Sequence, residues 1–396
     1  MIIKSKRIVS EQGMIDGYLE VKGRIIKDIK LANVPMKCDL DVGNNRILPG
    51  FFDTHNHGTM GYSVMKNSSE KEIKGYLKGL ASQGVTSVFP TCDITIIKTL
   101  AKMSEKEQDG AKIVGIHSEG PWLNRVGEKG IKTGYPKVDI GVAQKMITDG
   151  QGKLKLVAIA PEIPGVDKLI ELFLKNGIKV AFAHSDDNYE EANKHLSQGI
   201  HVATHLCNVM SGIHHRDIGG LGACLLHDEV ACELICDGMH VSLPMIQLIM
   251  KTIRHDRIMM ISDCTPMSGA PVGVYSGFGL GMEKIHVNEE GFVLSDTGRL
   301  CGSSKGIIYG VKELVEKLHV PIEEVVQLSS LHACKTYDLA KQKGSLKVGK
   351  DADFVIINDE YEVLSTYSEG RKIYDCTIDK EVFNPTFISD NLKLEN

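Results

Sequence analysis

Several apolar runs of the sequence end in histidine, aspartate or glutamate, the side chains that bind metal ions and transfer protons. These residues are His55, His57, Glu119, His184, His205 and Asp263. Imidazole and carboxylate groups are the ligands that Zn²⁺ or Fe²⁺ accepts while leaving a position open for water. The pattern therefore indicates a divalent metal site that supports hydrolysis.

Each of these residues also has a purely structural interpretation. The pair His55 and His57 can be two solvated loop histidines, a single histidine can fill a core, and Asp263 can cap the following helix. Five separate strand ends that all supply ligand-type side chains are hard to explain by such roles. The coincidence favours the metal site.

Hydrolysis of an amide also needs a group that accepts the proton of water and returns it to the leaving nitrogen. Asp263, at the end of the last apolar run, is the candidate for this proton transfer. The oxyanion that develops on the carbonyl must be stabilised by a neutral donor or by the metal.

Eight apolar runs, rich in Val, Ile, Leu, Phe and Ala, carry these residues. They cover residues 47–55, 85–93, 112–119, 155–162, 179–186, 201–208, 231–240 and 257–264. Continuous apolar runs of this length are typical of buried parallel strands. Between them lie helix-like segments such as residues 68–84, which open with serine and close on glycine. Eight such units predict an α/β fold with a (β/α)8 TIM-like barrel, in which the C-terminal strand ends share one face; a doubly wound sheet is the alternative.

The two ends of the chain contain short strand candidates that are broken by glycine and charge. Neither end is long enough for a core of its own. We therefore predict one small β-sandwich domain formed by both chain ends, residues 1–48 together with 345–396, beside a barrel of residues 49–344. The glycine-rich residues 269–298 predict a hairpin-like insertion before the last barrel helix.

The bulk composition excludes several classes of partner. The chain has 396 residues, and its net charge of −5 provides no basic field for nucleic acid or an anionic membrane. No stretch approaches the roughly 20 apolar residues of a membrane span, and the start of the chain lacks a signal-peptide pattern. The ten scattered cysteines are therefore expected to be free thiols of a cytoplasmic protein.

Several strings around the candidate residues are distinctive. They are PGFFDTHNHG (49–58), HSEGPWLN (117–124), THLCNVMSG (204–212), DGMH (237–240), SDCTP (262–266) and LCGSS (300–304). Over nearly the whole chain, the sequence resembles the N-acetylglucosamine-6-phosphate deacetylase family of the amidohydrolase superfamily. The resemblance implies a metal-dependent deacetylase that hydrolyses the acetamide of an N-acetyl hexosamine 6-phosphate, giving acetate and the hexosamine 6-phosphate.

The resemblance also implies a role for each candidate ligand. It assigns Glu119, His184 and His205 to the main metal and makes Asp263 the catalytic acid and base. The pair His55 and His57 matches a second metal position that some members keep and others lose. One or two ions of Zn²⁺ or Fe²⁺ per subunit are therefore expected, with Glu119 as the bridge.

Further residues match the positions that bind the sugar phosphate in this family. They are Lys132, Asn208, Val209, Arg216, His240, Leu300, Cys301 and Gly302. In the family, the arginine and histidine partly come from a neighbouring subunit, which implies a homodimer. On its own chemistry, Arg216 can bind a phosphate through two hydrogen bonds or form a salt bridge with Asp217, and His240 can be purely structural.

Two substrate-facing positions depart from the family pattern. Lys132 replaces a histidine that contacts the substrate, and Cys301 replaces a smaller residue. N-acetylgalactosamine 6-phosphate or another N-acyl amino sugar therefore remains an alternative substrate. Two other hypotheses are an amidohydrolase acting on a cyclic amide or an N-acyl amino acid, and a barrel that binds a sugar or a partner without catalysis. The complete ligand set with Asp263 argues against the last.

Overall fold

The computed structural model describes residues 1–11, 13–33, 35–66, 68–126, 131–279 and 282–393. Eight parallel strands, called barrel strands 1 to 8 in chain order, form a closed barrel. They are Phe51–Asn56, Val85–Pro90, Ile116–Glu119, Leu154–Ile159, Lys179–Phe182, Val202–Ala203, Ala231–Ile235 and Ile258–Ile261. Each of the eight predicted runs overlaps one of these strands. The predicted barrel is confirmed, and the doubly wound alternative is wrong because the sheet closes on itself.

Hydrogen bonds at two seams close the barrel. Strands 3 to 8 pair in chain order and strand 1 pairs with strand 2. A bridge between Thr91 and His117 joins strand 2 to strand 3. At the other seam the amide of Asp263 donates to the carbonyl of His55 at 2.9 Å. These seams bring the ends of strands 1, 3 and 8 to the same face.

The first and third apolar runs are each divided into two strands. In the first run, Arg46–Pro49 belongs to a sheet outside the barrel, and the barrel strand begins at Phe51. The junction is Gly50, where an added Cβ would lie 2.2 Å from Cγ2 of Thr86. The third run contains a short strand, Lys112–Ile113, that pairs with strand 2 before the main strand begins. Continuous apolar patterns do not reveal such breaks.

One helix follows each barrel strand. These eight helices are Glu70–Ser82, Ile97–Ser104, Ile140–Gly150, Asp167–Lys175, Tyr189–Leu196, Gly219–Leu226, Leu243–Thr252 and Ile307–Glu316. Helical segments also occur at Ile94–Ile96, His255–Arg257, Ile322–Val326, Gln327–Leu331, His332–Thr336 and Pro385–Asn391. The first helix begins at the predicted cap, where the Ser69 side chain accepts from the amide of Glu72 at 3.1 Å. Among the helices in the described ranges, none has the length and apolar character needed to cross a bilayer.

Both ends of the chain enter one continuous eight-stranded sheet. Its strands are Ile2–Ser10, Gly13–Lys22, Ile25–Leu31, Leu40–Asp41, Arg46–Pro49, Phe354–Ile357, Val363–Ser368 and Arg371–Asp375. The two ends meet where Arg46–Pro49 pairs antiparallel with Phe354–Ile357. A separate apolar core lies against this sheet and includes Ile3, Leu19 and Phe354. Pro49 pairs within this sheet, one residue beyond the predicted limit at residue 48, and the remaining limits stay a prediction.

The last part of the chain, which lies within the predicted range 345–396, pairs with strands outside this sheet. Strand Leu392–Lys393 pairs with Val274 and Tyr275, within the insertion that follows barrel strand 8. The reason is apolar packing, since the rings of Phe387 and Tyr275 lie 6.4 Å apart in the cluster that the insertion buries. The strands of the insertion are Gly273–Gly279, Met282–Val287 and Val293–Ser295. Elsewhere, two short antiparallel pairs join Gly58–Thr59 with Tyr62–Ser63 and Arg125–Val126 with Ile131–Lys132.

A carboxylate connects the two chain ends within the terminal sheet region. Glu11 accepts from Nζ of Lys347 at 3.1 Å and from Nζ of Lys350 at 3.2 Å, and also bonds the Ser345 hydroxyl. Burial alone raises the pKa of Glu11, but these hydrogen bonds and the charge of Lys350 lower it to about 2. The contact is therefore stronger when the carboxyl is ionised.

Replacing Glu11 with glutamine should lower the free energy of unfolding by about 1–2 kcal/mol near neutral pH, with partial exposure limiting the effect. Because the folded pKa lies below the ordinary 4.5, this contribution is complete above that value and is lost as the pH falls toward 2. Urea unfolding at about pH 7 and about pH 3 should show the difference shrinking in acid. The exposed Glu107→Gln is the control and should have little effect at either pH. An equal loss for Glu11→Gln at both pH values would contradict the account.

Candidate metal centre

Three ligand-type atoms from different barrel strands converge on one point. Oε1 of Glu119 lies 3.0 Å from Nε2 of His184 and 3.0 Å from Nε2 of His205. The two Nε2 atoms are themselves 3.0 Å apart. Glu119 is the last residue of strand 3, and the two histidines follow the ends of strands 5 and 6. The barrel therefore assembles this group from residues far apart in the chain.

The hydrogen bond on the far side of His184 fixes its tautomer. Nδ1 of His184 lies 2.6 Å from the backbone carbonyl of Arg125. A carbonyl oxygen can only accept, so Nδ1 carries the proton, and Nε2 of a neutral ring presents a lone pair. That lone pair faces a carboxylate and a second imidazole nitrogen. A cation at the point of convergence would turn this repulsion into coordination, so the donor set fits a divalent metal.

A second group of ligand-type atoms shares the same carboxylate. Nε2 of His57 lies 3.2 Å from Oε2 of Glu119 and 3.2 Å from Nε2 of His55. The ligand atoms of these three residues all lie within 4.8 Å of one another. Oε2 of Glu119 thus faces His57, whereas Oε1 faces His184 and His205, as expected for a ligand placed between two ions.

Asp263 faces the second group from the end of strand 8. Its Oδ1 lies 3.4 Å from Nε2 of His55 and 3.5 Å from Nε2 of His57. The side chain is 17% exposed, against 0% for His55. A carboxylate in this position borders both the ligand cluster and solvent, where it can exchange a proton with water or substrate.

The charge distribution at the cluster favours a cation. Burial raises the pKa of Glu119, but the neighbouring His55 and His184 and a hydrogen bond from His205 hold it well below its usual range. Burial lowers the pKa of His55, but the carboxylates of Asp263, Glu119 and Glu233 raise it to about 10. The shift of His55 means that the surrounding carboxylates stabilise positive charge here, and the shift of Glu119 means that the histidines stabilise its ionised form. A divalent ion satisfies the same field without protonating its ligands.

Among the proposed metal ligands and the proposed proton-transfer residue, three have left-handed backbone conformations. The φ angles are 51° at His184, 29° at His205 and 50° at Asp263. Residues other than glycine seldom adopt this region, and such strain is concentrated at functional sites. Barrel strands 5, 6 and 8 are therefore each followed by a turn. The backbone of that turn, rather than the alternation of side chains along the strand, directs the side chain of His184, His205 or Asp263.

The residues predicted to bind substrate near His205 and His184 lie directly beside these histidines. Nδ2 of Asn208 donates to the carbonyl of His205 at 3.3 Å, and Val209 has a φ of 51°. Lys132 is exposed, and its Nζ lies 2.9 Å from Oδ2 of Asp186 on the turn that follows His184. Asn208 thus contacts the backbone of His205, and Lys132 contacts the turn that follows His184.

The strings around His240 and residues 300–302 meet on the Asp263 side of the barrel. Nδ1 of His240 lies 2.7 Å from Oδ2 of Asp237, which also accepts from the Ser303 hydroxyl at 3.1 Å. The amide of Ser303 in turn donates to the carbonyl of Asp263 at 3.1 Å. This network holds the segment of Leu300, Cys301 and Gly302 next to Asp263. An added Cβ at Gly302 would lie 2.3 Å from Cγ2 of Thr265, which explains the glycine.

Arg216 lies apart from the cluster in the single chain. It is exposed and lines a surface cavity of about 400 Å³ with Asn188, Tyr189, Glu190, His215, Asp217 and Ile218. None of the proposed metal ligands is among these lining residues. Its Nη1 lies 2.8 Å from Nε2 of His215 rather than in an ion pair with Asp217. The structure therefore does not bring Arg216 to the metal ligands within one subunit.

Sequence reasoning missed two residues that lie beside the ligands. Glu233 is fully buried in strand 7, and its Oε2 lies 3.5 Å from Nδ1 of His55. A glutamate in the middle of an apolar run is unusual in a buried strand, and this signal could have identified it. Arg125 acts through its backbone carbonyl, which every residue possesses, so no sequence signal was available.

Comparison with known proteins identifies the family. The model of the amidohydrolase family matches residues 46–373. The chain is 30% identical to an N-acetylglucosamine-6-phosphate deacetylase from Vibrio furnissii over 85% of each chain. It is 27% identical to an N-acetylgalactosamine-6-phosphate deacetylase from Escherichia coli O157:H7 over 93% of this chain and 98% of that one.

A solved structure shows the same fold over almost the whole chain. It is a mutant N-acetyl-D-glucosamine-6-phosphate deacetylase from Mycobacterium smegmatis in complex with N-acetyl-D-glucosamine-6-phosphate. The TM-score is 0.83 at 24% identity, and the match covers 94% of this chain and 99% of that one. The extent of the family match, the shared fold and the converging ligands lead to one conclusion: the chain belongs to the amidohydrolase family.

Proposed function

We propose that the protein is a metal-dependent deacetylase that hydrolyses the acetamide of N-acetylglucosamine 6-phosphate to acetate and glucosamine 6-phosphate. The observation that carries the proposal is the convergence of Glu119, His184 and His205. Asp263 lies beside the second group, with its Oδ1 3.4 Å from Nε2 of His55. The names of the similar proteins supply the substrate class. A hydrolytic enzyme of this family needs the cation-binding cluster and the nearby proton acceptor that the site presents.

Glu119, His184 and His205 would hold the main ion, and His55 and His57 with Glu119 would hold a second. Imidazole with carboxylate suits Zn²⁺ or Fe²⁺. When bound, such an ion lowers the pKa of water and polarises the carbonyl of the acetamide. The position of Glu119 between the two groups supports two ions per subunit, because its Oε1 contacts His184 and its Oε2 contacts His57.

Asp263 moves the proton in the proposed reaction. Its carboxylate accepts a proton as the oxygen of water forms a bond to the acetamide carbon. It then returns that proton to the sugar nitrogen as the C–N bond breaks, so that acetate and the amine leave. The position of its Oδ1, 3.4 Å from Nε2 of His55, supports a role in contact with the reacting atoms.

The substrate phosphate requires cationic and hydrogen-bonding groups at the rim. His240 is held by Asp237, and Asn208 and Val209 extend the turn after His205. Arg216 is exposed on the surface of its own chain, which supports a role in the site of a neighbouring subunit. We therefore include a cytoplasmic homodimer in the proposal, with Arg216 binding the phosphate across the interface.

A second candidate substrate is N-acetylgalactosamine 6-phosphate. Lys132 occupies the position of a substrate-contacting histidine, and one of the similar proteins carries the galactosamine name. Comparing kcat/KM for the two epimers distinguishes these substrates. The glucosamine proposal requires the higher value for N-acetylglucosamine 6-phosphate; a reversed preference would replace it with the second candidate.

Replacing His205 with alanine should reduce the metal content of the purified protein, because the main ion loses one of three protein ligands. Elemental analysis of the native preparation should show the main ion reduced or absent in the variant. His195→Ala, at a histidine that pairs with Asp187 instead, is the control and should keep the wild-type content. Wild-type metal content in His205→Ala would show that this residue is not a ligand.

Replacing Asp263 with asparagine should lower kcat by about 10²–10⁴-fold, because the proton transfer is lost while the side-chain shape is kept. Metal content should stay near that of the wild type, since all five proposed metal ligands are unchanged. Acetate release under saturating substrate gives kcat, and elemental analysis gives the metal. Wild-type kcat in this variant would contradict the assigned role.

Replacing Arg216 with alanine should raise KM about 10–100-fold for the phosphorylated sugar and have little effect on its unphosphorylated form, because only the phosphate contact is lost. The exposed Arg254→Ala is the matched control and should leave KM unchanged.

Mixed dimers test whether Arg216 acts in its own subunit or in the neighbouring one. Combining Arg216→Ala with Asp263→Asn chains should restore about a quarter of the wild-type activity, since each mixed dimer has one intact site. Equal KM values for wild type and Arg216→Ala would remove Arg216 from the site, and no restoration would place it in its own subunit.

A further inference from the structure

We propose that Glu233 is a positioning residue that selects the tautomer and orientation of His55 and thereby sets the affinity for the second metal ion. The inference rests on the two-ion form of the proposed function. It concerns a buried side chain beneath the ligands rather than a ligand itself.

Glu233 is placed so that its two oxygens have different partners. Oε1 accepts from the Thr54 hydroxyl at 2.6 Å. Oε2 lies 3.5 Å from Nδ1 of His55, and both residues are 0% exposed. Within the described part of the chain, neither Oε2 nor that Nδ1 has a hydrogen-bond partner of standard geometry. Two buried polar atoms that face each other without another partner gain the most by pairing with each other.

This pairing determines which nitrogen of His55 can bind a metal. A carboxylate only accepts, so pairing with Glu233 requires the proton of the neutral imidazole to reside on Nδ1. Nε2 then presents its lone pair toward His57 and Glu119, at 3.2 Å and 3.6 Å. A carboxylate behind a ligating histidine also increases the basicity of the ring. Glu233 therefore prepares His55 for an ion without touching the ion.

The charge of Glu233 supports the same role. Among the ion pairs of the described ranges, Glu233 occurs only with His55. An isolated buried carboxylate is costly, and a cation on the opposite side of the imidazole would compensate it through the ring. The cost of burying Glu233 is thus balanced when the second ion is bound.

The backbone of Glu233 has a separate function, which makes the side chain testable alone. Its carbonyl accepts from the amide of Leu206 at 2.7 Å, next to His205 in the main ion group. A side-chain substitution leaves this hydrogen bond in place. Loss of the second ion with retention of the main ion is therefore the expected signature, whereas a general structural defect would disturb both.

The test is equilibrium binding of Zn²⁺ alone to the purified enzyme, with bound ions counted by elemental analysis at graded free Zn²⁺. We expect two ions in the wild type. In Glu233→Gln the second affinity should fall about tenfold, and in Glu233→Leu up to about 100-fold, while the main ion keeps its affinity. Two ions with wild-type affinities in both variants would overturn the inference and leave the proposed function intact. A wild-type protein that saturates at one ion would instead refute the two-ion proposal on which the inference rests.

Two further variants keep the test decisive if the substitutions of Glu233 do not fold. Thr54→Val removes the hydroxyl that holds Oε1 and should weaken the second ion in the same direction but by less. Unchanged binding in a folded Thr54→Val protein would then count against the inference. The control is Glu313→Gln, a buried carboxylate on an outer helix that pairs with Lys317, and it should bind two ions like the wild type.

Discussion

The site depends on one electrostatic constraint, which is that three metal-binding atoms of Glu119, His184 and His205 lie 3.0 Å from one another. Nδ1 of His184 is committed to the carbonyl of Arg125, so its Nε2 brings a lone pair to the carboxylate of Glu119 and to His205. Only positive charge at that point makes the arrangement favourable. The carboxylates of Asp263, Glu119 and Glu233 raise the pKa of His55. They therefore favour positive charge at the second group as well.

In the barrel, the strands and the turns after them have different roles in bringing the ligands together. The parallel strands bring distant residues to one face, and their closure is fixed by contacts such as the amide of Asp263 on the carbonyl of His55. The left-handed turns at His184, His205 and Asp263 then direct the side chains inward. The strain of these turns is sustained by the close packing beneath them. The insertion and the terminal sheet contribute none of these ligand-type side chains.

The sequence predicted the barrel and the six candidate residues because apolar runs that end in ligand-type residues form a periodic signal. It did not reveal that the first run divides at Gly50, because a break within continuous apolar sequence depends on a close contact with Thr86. It also did not reveal that residues near Phe387 leave the terminal sheet, since that choice depends on packing against Tyr275. The location of Arg216 away from the cluster is likewise a tertiary property.

The most direct test of the central claim is anomalous diffraction at the metal absorption edge from crystals of the native holoenzyme. The account predicts a peak within about 2.0–2.2 Å of Oε1 of Glu119 and of Nε2 of His184 and His205. A fully occupied peak that is coordinated by other residues, or well-ordered ligands at this point with no peak, would contradict it.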